Sequence, residues 1–340
     1  MCYKVNKYMH YTEKFLVHNS LVLKITSSSP ELMEYAVQCF RLFPTLGKPT
    51  TTDLPEVELV LVKGIQRQPS EWMGKREEKL LWEVRTEDFV NLRYADRYVA
   101  YSGRCAFVEY FPSSGKAYAE LSEDIYFYHL PFTCMISVLN WAFKEMAFFP
   151  VHAAAVGRDG TGLLLASPSG VGKSTTAVLL AKAGFSVLHD DFIWVQERGD
   201  SFYLFGVPCP IRLNQDMLRL LKITSDGQLS GKIRRESSAL SSKSFFFAED
   251  ISLQSVPSVT CTAVCYLERY GVESSYRQIP SADALELLTK QSFLATDLSI
   301  TKEYLETLVH LTEVVPQFLV VLGTDHQSTC EVFDHLILTA

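Results

Sequence analysis

Short apolar runs broken by turn residues dominate the first third of the chain. Residues 20–25, 57–62, 98–101 and 106–110 read as strands, and 30–40 carries a helical spacing. Together they predict a mixed α+β module. Residues 128–148 are almost continuously apolar and predict one long buried helix, with Pro131 in its first turn and Phe149-Pro150 at its end. The predicted boundary falls near Glu123, giving modules 1–123 and 124–340. After that helix the second module continues with a short buried strand, 151–157, that carries one polar residue, His152. A Gly-Arg-Asp-Gly-Thr-Gly turn at 157–162 then leads, as in a hairpin, into the apolar run 162–167. Residues 176–183 predict a helix closed by Gly184, and 185–189 predict a strand that ends in Asp190 and Asp191. Further strands are expected at 192–196, 202–207 and 318–322. Further helices are expected at 215–221, 282–294, 304–311 and 330–338.

The polar positions between these elements carry the candidate chemistry. Ser169, Gly170, Val171, Gly172, Lys173, Ser174 and Thr175 lie between a buried strand and a helix, the context a phosphate-binding loop requires. Glycines let backbone N–H groups turn inward around a polyphosphate, and the helix N-terminus adds partial positive charge. In that reading Lys173 reaches the β- and γ-phosphates of ATP and Ser174 offers a hydroxyl to Mg²⁺. Ser167 stands where the usual pattern opens with glycine, and a chance Gly-rich turn is the alternative. If the sheet is parallel, the strand 185–189 is expected beside the loop strand, its carboxylates facing the same crevice. Asp190 and Asp191 then bind Mg²⁺ or accept a proton; a solvated turn is the other reading. His152 is either a hydrogen-bonded core residue or a member of that crevice. Arg212, after the Pro-rich turn 208–210, is a candidate transition-state clamp. The basic stretch 225–244, with Lys232, Arg234, Arg235 and Lys243, reads as a solvated loop or as a mobile lid.

His152 before a turn, Ser-Gly-Val-Gly-Lys-Ser, a helix and an Asp-Asp pair resemble the catalytic domain of HPr kinase/phosphorylase. They resemble more closely the HPr-kinase-like peptide kinases, such as those acting on lasso-peptide precursors. The resemblance is strong over 149–194, weak to residue 340, and does not cover the N-terminal third. It implies an α/β fold of the P-loop, phosphoenolpyruvate-carboxykinase-like type with a smaller α+β N-terminal domain. It also implies an ATP- and Mg²⁺-dependent kinase with a hydroxyl acceptor, and a homo-oligomer as one arrangement. Carried over residue by residue, it makes Lys173 and Ser174 the phosphate and Mg²⁺ contacts. One of Asp190 and Asp191 becomes the base, supported by His152, and the other a metal ligand. The order expected here is Asp190 as the base, hydrogen-bonded by His152, and Asp191 as the metal ligand. The sequence departs from the bifunctional enzymes at Ser167 and Pro168. It also lacks their acidic-Ile-Arg-Gly and Gly-Arg-Asn signature, so phosphorolysis is not carried over.

The acceptor is expected to be a Ser or Thr of a peptide or small protein, or else a small-molecule alcohol. A non-transferring P-loop ATPase or nucleotide-gated binding module is the reading from a different class. The formal net charge of −7 argues against non-specific nucleic-acid partners. None of the 8 cysteines forms Cys-x-x-Cys, and Cys261 and Cys265 are spaced as core residues on one strand face. Free thiols, a polar mixed opening and no unbroken apolar span predict a cytoplasmic, non-membrane protein. In the N-terminal module, packing platform, dimer surface and acceptor recognition all stay open.

Overall fold

The computed structural model describes residues 11–46, 53–65, 80–85, 89–103, 105–123, 129–207, 209–220, 234–235, 244–292 and 300–339. The chain divides into two compact units, Met1–Ala142 and Phe143–Ala340. The division differs from the expected one near Glu123, because aromatic packing draws residues 130–142 into the first unit. Trp141 stacks on Tyr98 at 5.3 Å and on Tyr110 at 6.3 Å between ring centroids. The long helix expected over 128–148 also ends earlier. From Leu130 it runs as a π-helical turn, Leu130–Met135, continues as the α-helix Ile136–Phe143, and gives way to the 3-10 turn Lys144–Met146. Ala147, at φ 56°, reverses the chain into the strand Phe149–Val151, where continued helix is impossible.

The first unit is built on an eight-stranded mixed sheet. Two of its ladders are parallel, Leu21–Ser27 with Glu56–Lys63 and Glu56–Lys63 with Lys116–Leu121. The helix Pro30–Cys39 starts at Ser29, whose hydroxyl accepts the Leu32 N–H, and buries Leu32, Tyr35 and Ala36.

A ten-stranded mixed sheet covered on both faces forms the second unit. On one face, Leu163 and Leu165 pack with Ala177 and Leu180 of the helix Lys173–Lys182. Phe333 and Leu336 of the helix His326–Thr339 join them. Opposite, Leu164 and Tyr266 pack with Leu288 of the helix Ser281–Thr289 and with Tyr304 and Leu308 of the helix Thr301–Val314. Alternate residues of the central strand thus feed two cores, the usual arrangement of an α/β layer fold.

Local turn chemistry sets the neighbours of the strand Thr161–Ala166. Ala153–Arg158 and Thr161–Ala166 form a tight hairpin, pairing Ala153 with Ala166 and Arg158 with Thr161. The hairpin occupies one edge of Thr161–Ala166, and the parallel strand Ser258–Gly271 takes the other. The strand Ser186–His189 therefore does not lie beside Thr161–Ala166, as expected of a parallel sheet. It pairs antiparallel with Ala153–Arg158, one position further out. Its C-terminal end still points the same way as the end of Thr161–Ala166, because two antiparallel steps restore direction. The cysteine expectation also changes. A register shift opposite Gly162 and Leu163 separates Cys261 from Ala263, so Cys261 joins one core and Cys265 the other.

Among the described residues, no helix is long and apolar enough to cross a membrane.

Candidate active site

The loop 167–172 leaves the buried strand Thr161–Ala166 and enters the helix Lys173–Lys182. Gly170 has φ 86° and Gly172 has φ 129°, backbone states that L side chains rarely adopt. Gly172 sits at the N-cap, and its carbonyl accepts the Thr176 N–H at 2.8 Å. The open N–H groups of the first helical turn follow directly from it. A β-carbon at Gly172 would also stand 3.3 Å from Arg269 Nη2. Gly172→Ala is therefore expected to destabilise the fold by about 1–3 kcal/mol through backbone strain. Urea unfolding checks this, and an unchanged midpoint would show that the loop relaxes freely.

Lys173 is buried, and its Nζ donates to the Ser167 carbonyl at 2.6 Å. The ammonium thus folds back across the loop onto the strand end. Burial lowers its pKa, while the charges of Asp191 and then Asp190 oppose that shift. Both carboxylates therefore act electrostatically on the same lysine, although they come from a strand two positions away in the sheet.

A histidine that sequence reasoning did not single out shapes the turn bearing these carboxylates. His189 ends the strand Ser186–His189 and is buried. Its Nδ1 accepts the backbone N–H groups of Asp191 at 3.0 Å and Phe192 at 2.9 Å. Accepting two N–H donors leaves Nδ1 without a proton and fixes the imidazole as the Nε2–H tautomer. The turn is braced from within, which sends neighbouring carboxylates into different surroundings. Asp190 is buried at 3% exposure, whereas the Asp191 side chain is 36% exposed. The sequence signal was the third polar residue in His-Asp-Asp.

His152 is not in the strand expected at 151–157. It occupies the bend between Phe149–Val151 and Ala153–Arg158, and its N–H donates to the Gln291 carbonyl at 2.8 Å. Leaving the ladder frees the imidazole to turn toward Asp191, and Nε2 lies 2.9 Å from Asp191 Oδ1. Asp190 was the expected partner; the hydrogen bond the structure describes runs instead to Asp191, the more exposed carboxylate of the pair.

Arg212 lies on the short strand Ile211–Leu213, opposite Phe245; its side chain is outside the described residues. Most of 225–244 also falls outside them, the lid expectation included. Arg269, near the end of Ser258–Gly271, does reach the loop, since its guanidinium lies within 3.5 Å of where a Gly172 β-carbon would stand. Sequence reasoning missed it because no local motif links it to the glycines.

Ser174, Asp190 and Asp191 supply hard oxygen donors near the lysine. Among the described residues, no group of three or more His, Cys, Asp or Glu is arranged to hold a metal ion. The donor set suits a cation that keeps most of its ligands as water and phosphate oxygens, as Mg²⁺ does.

No family model matches the chain. A stretch of 73 residues is 37% identical to the HPr kinase/phosphorylase of Exiguobacterium sp. (strain ATCC BAA-1283 / AT1b). The match covers 21% of this chain, and the chain spans 24% of that protein's length. Among solved structures, the HPr(Ser) kinase/phosphatase from Coxiella burnetii aligns with a TM-score of 0.30 and 14% identity. That alignment covers 56% of this chain and 88% of the other.

Proposed function

We propose that the protein is an ATP-dependent kinase that transfers the γ-phosphoryl group to an alcohol. A Ser or Thr hydroxyl of a peptide or small protein is the preferred acceptor. One observation carries this reading: a buried loop lysine influenced by two adjacent carboxylates, one of them hydrogen-bonded to a histidine. A nucleotide switch has no need of the second carboxylate or its histidine. The short stretch of identity to an HPr kinase/phosphorylase supports the same reading. Phosphorolysis is not part of the proposal.

In this mechanism the backbone N–H groups of the loop and first helical turn hold the triphosphate. Lys173 leaves the Ser167 carbonyl and moves to the β- and γ-phosphates, exchanging a neutral acceptor for an anionic one. Ser174 and Asp190 would hold Mg²⁺, which when bound would neutralise charge on the phosphate oxygens. Asp191 accepts the proton of the acceptor hydroxyl as its oxygen bonds to the γ-phosphorus and the bond to ADP breaks. His152 donates from Nε2 to Asp191 and orients it. These carboxylate roles reverse the order expected from the sequence, because Asp191, the partner of His152 and the more exposed of the two, is the one an acceptor can reach.

Two measurements test the reading. Incubation with γ-labelled ATP and a Ser/Thr peptide library should move label into peptide. Label released only as inorganic phosphate, whatever peptide or small alcohol is offered, would favour the ATPase reading. Replacing His152 by alanine should lower kcat about 10²-fold, within the usual range of acid–base contributions. The melting temperature should barely change, since the imidazole is a third exposed. A large stability loss with kcat intact would instead make His152 a structural residue.

A further inference from the structure

The second unit contains a cavity of about 460 Å³, large enough for a nucleoside. Gly172, Thr175, Arg269, Gly271, Thr324 and His326 contribute to its wall. It shares Gly172 with the loop, whereas Lys173, Asp190, Asp191 and His152 do not line it. The cavity therefore adjoins the phosphate loop but is separate from the carboxylates.

Sheet register explains how these residues meet. Ala166, the last residue before the loop, pairs with Tyr266 of the parallel strand Ser258–Gly271. Arg269 lies three positions further on, past the same sheet edge. The strand Gln317–Gly323 runs parallel on its other side, pairing Leu322 with Arg269 and Gly323 with Gly271. After Gly323 the chain passes through Thr324 to His326, the first residue of the helix His326–Thr339. Three segments distant in sequence thus converge beside the loop.

The lining has a chemical bias. No aspartate or glutamate is among its described residues, although the whole chain carries a net charge of −7. It offers a guanidinium, an imidazole and threonine hydroxyls. A guanidinium presents a flat cationic face on which an aromatic ring stacks. Hydroxyls both donate and accept, which suits ribose and the edge of a base. Arg269 Nη2 and Nε lie 3.3 and 3.5 Å from the position of a Gly172 β-carbon, so the guanidinium sits beside the loop at Gly172.

We propose that this cavity receives the ribose and base of the bound nucleoside triphosphate, with Arg269 stacking on the base. The inference rests on reading 167–175 as a phosphate-binding loop, and the test separates the two. ATP and inorganic tripolyphosphate are titrated calorimetrically, with Mg²⁺, into the full chain and into His326→Trp and Thr324→Trp. Both positions are exposed at the rim, so an indole there fills the cavity without entering the core. The wild type should bind ATP at least tenfold more tightly than tripolyphosphate. At least one tryptophan variant should lose tenfold or more in ATP affinity while binding tripolyphosphate within twofold of wild type. The retained tripolyphosphate binding also shows that the variant is folded. Unchanged ATP affinity in both variants overturns the nucleoside site and leaves the phosphate loop standing. So does an equal loss for both ligands, or a wild type that does not prefer ATP. A wild type that binds neither ligand overturns the phosphate loop and the nucleoside site together.

Discussion

Lys173→Ala is expected to abolish ATP turnover and leave the fold intact. The lost contact is a charge-assisted hydrogen bond to phosphate, worth roughly 1.5–3 kcal/mol in binding. Removing a group that meets developing charge in the transition state costs roughly 10²–10³-fold in kcat. The fold should not suffer, because in the absence of nucleotide this lysine is an electrostatic burden. Burial lowers its pKa, so the folded state binds its proton less readily than the unfolded chain. That penalty is fully present at pH below the folded-state pKa. It fades as pH rises from there to the unfolded value. Alanine removes the penalty together with the Ser167 contact, so the melting temperature at neutral pH should hold or rise. The check is a steady-state ATP assay beside a thermal melt of the same preparation. Turnover within about twofold of wild type, well under 1 kcal/mol, would remove Lys173 from the phosphate site.

What the chain reveals in advance follows from how local each signal is. Strand, glycine loop and helix around Lys173 are contiguous, and each has its own cue: an apolar run, glycines that permit positive φ, and a helix closed by Gly184. The hairpin before them is equally local. Pairing between distant segments is not. Nothing in residues 185–189 says that the hairpin strand, and not Thr161–Ala166, will be their neighbour. Nothing in residues 128–148 says that the helix ends at Phe143, since apolar pattern is indifferent to a left-handed residue such as Ala147. His152 was legible as a polar residue in an apolar run. Its partner was not, because the choice between Asp190 and Asp191 depends on the His189 brace within the turn. Arg269 had no cue, because its place at the loop arises only from the register of two parallel strands.

Asp191→Asn should cost about 10²–10⁴-fold in kcat, the range of a lost general base. Asparagine is nearly isosteric, and its amide oxygen can still accept the hydrogen bond from His152. The variant therefore removes charge and basicity while keeping the turn that His189 holds. Raising Mg²⁺ should not restore the rate, because no metal ligand has gone. Asp190→Asn is the necessary contrast. Its effect should appear as a raised Mg²⁺ requirement, at least tenfold, with much of the rate recovered at saturation. The pairing of His152 with Asp191, together with the burial of Asp190, sets this order. Measuring kcat against Mg²⁺ for both variants decides it. If Asp191→Asn is the one rescued by Mg²⁺, the two carboxylates exchange roles, and His152 orients a metal ligand instead of a base. If both variants stay fully active, the Asp-Asp pair is only a turn, and Lys173 is left without the partners that distinguish a kinase site from a nucleotide-binding loop.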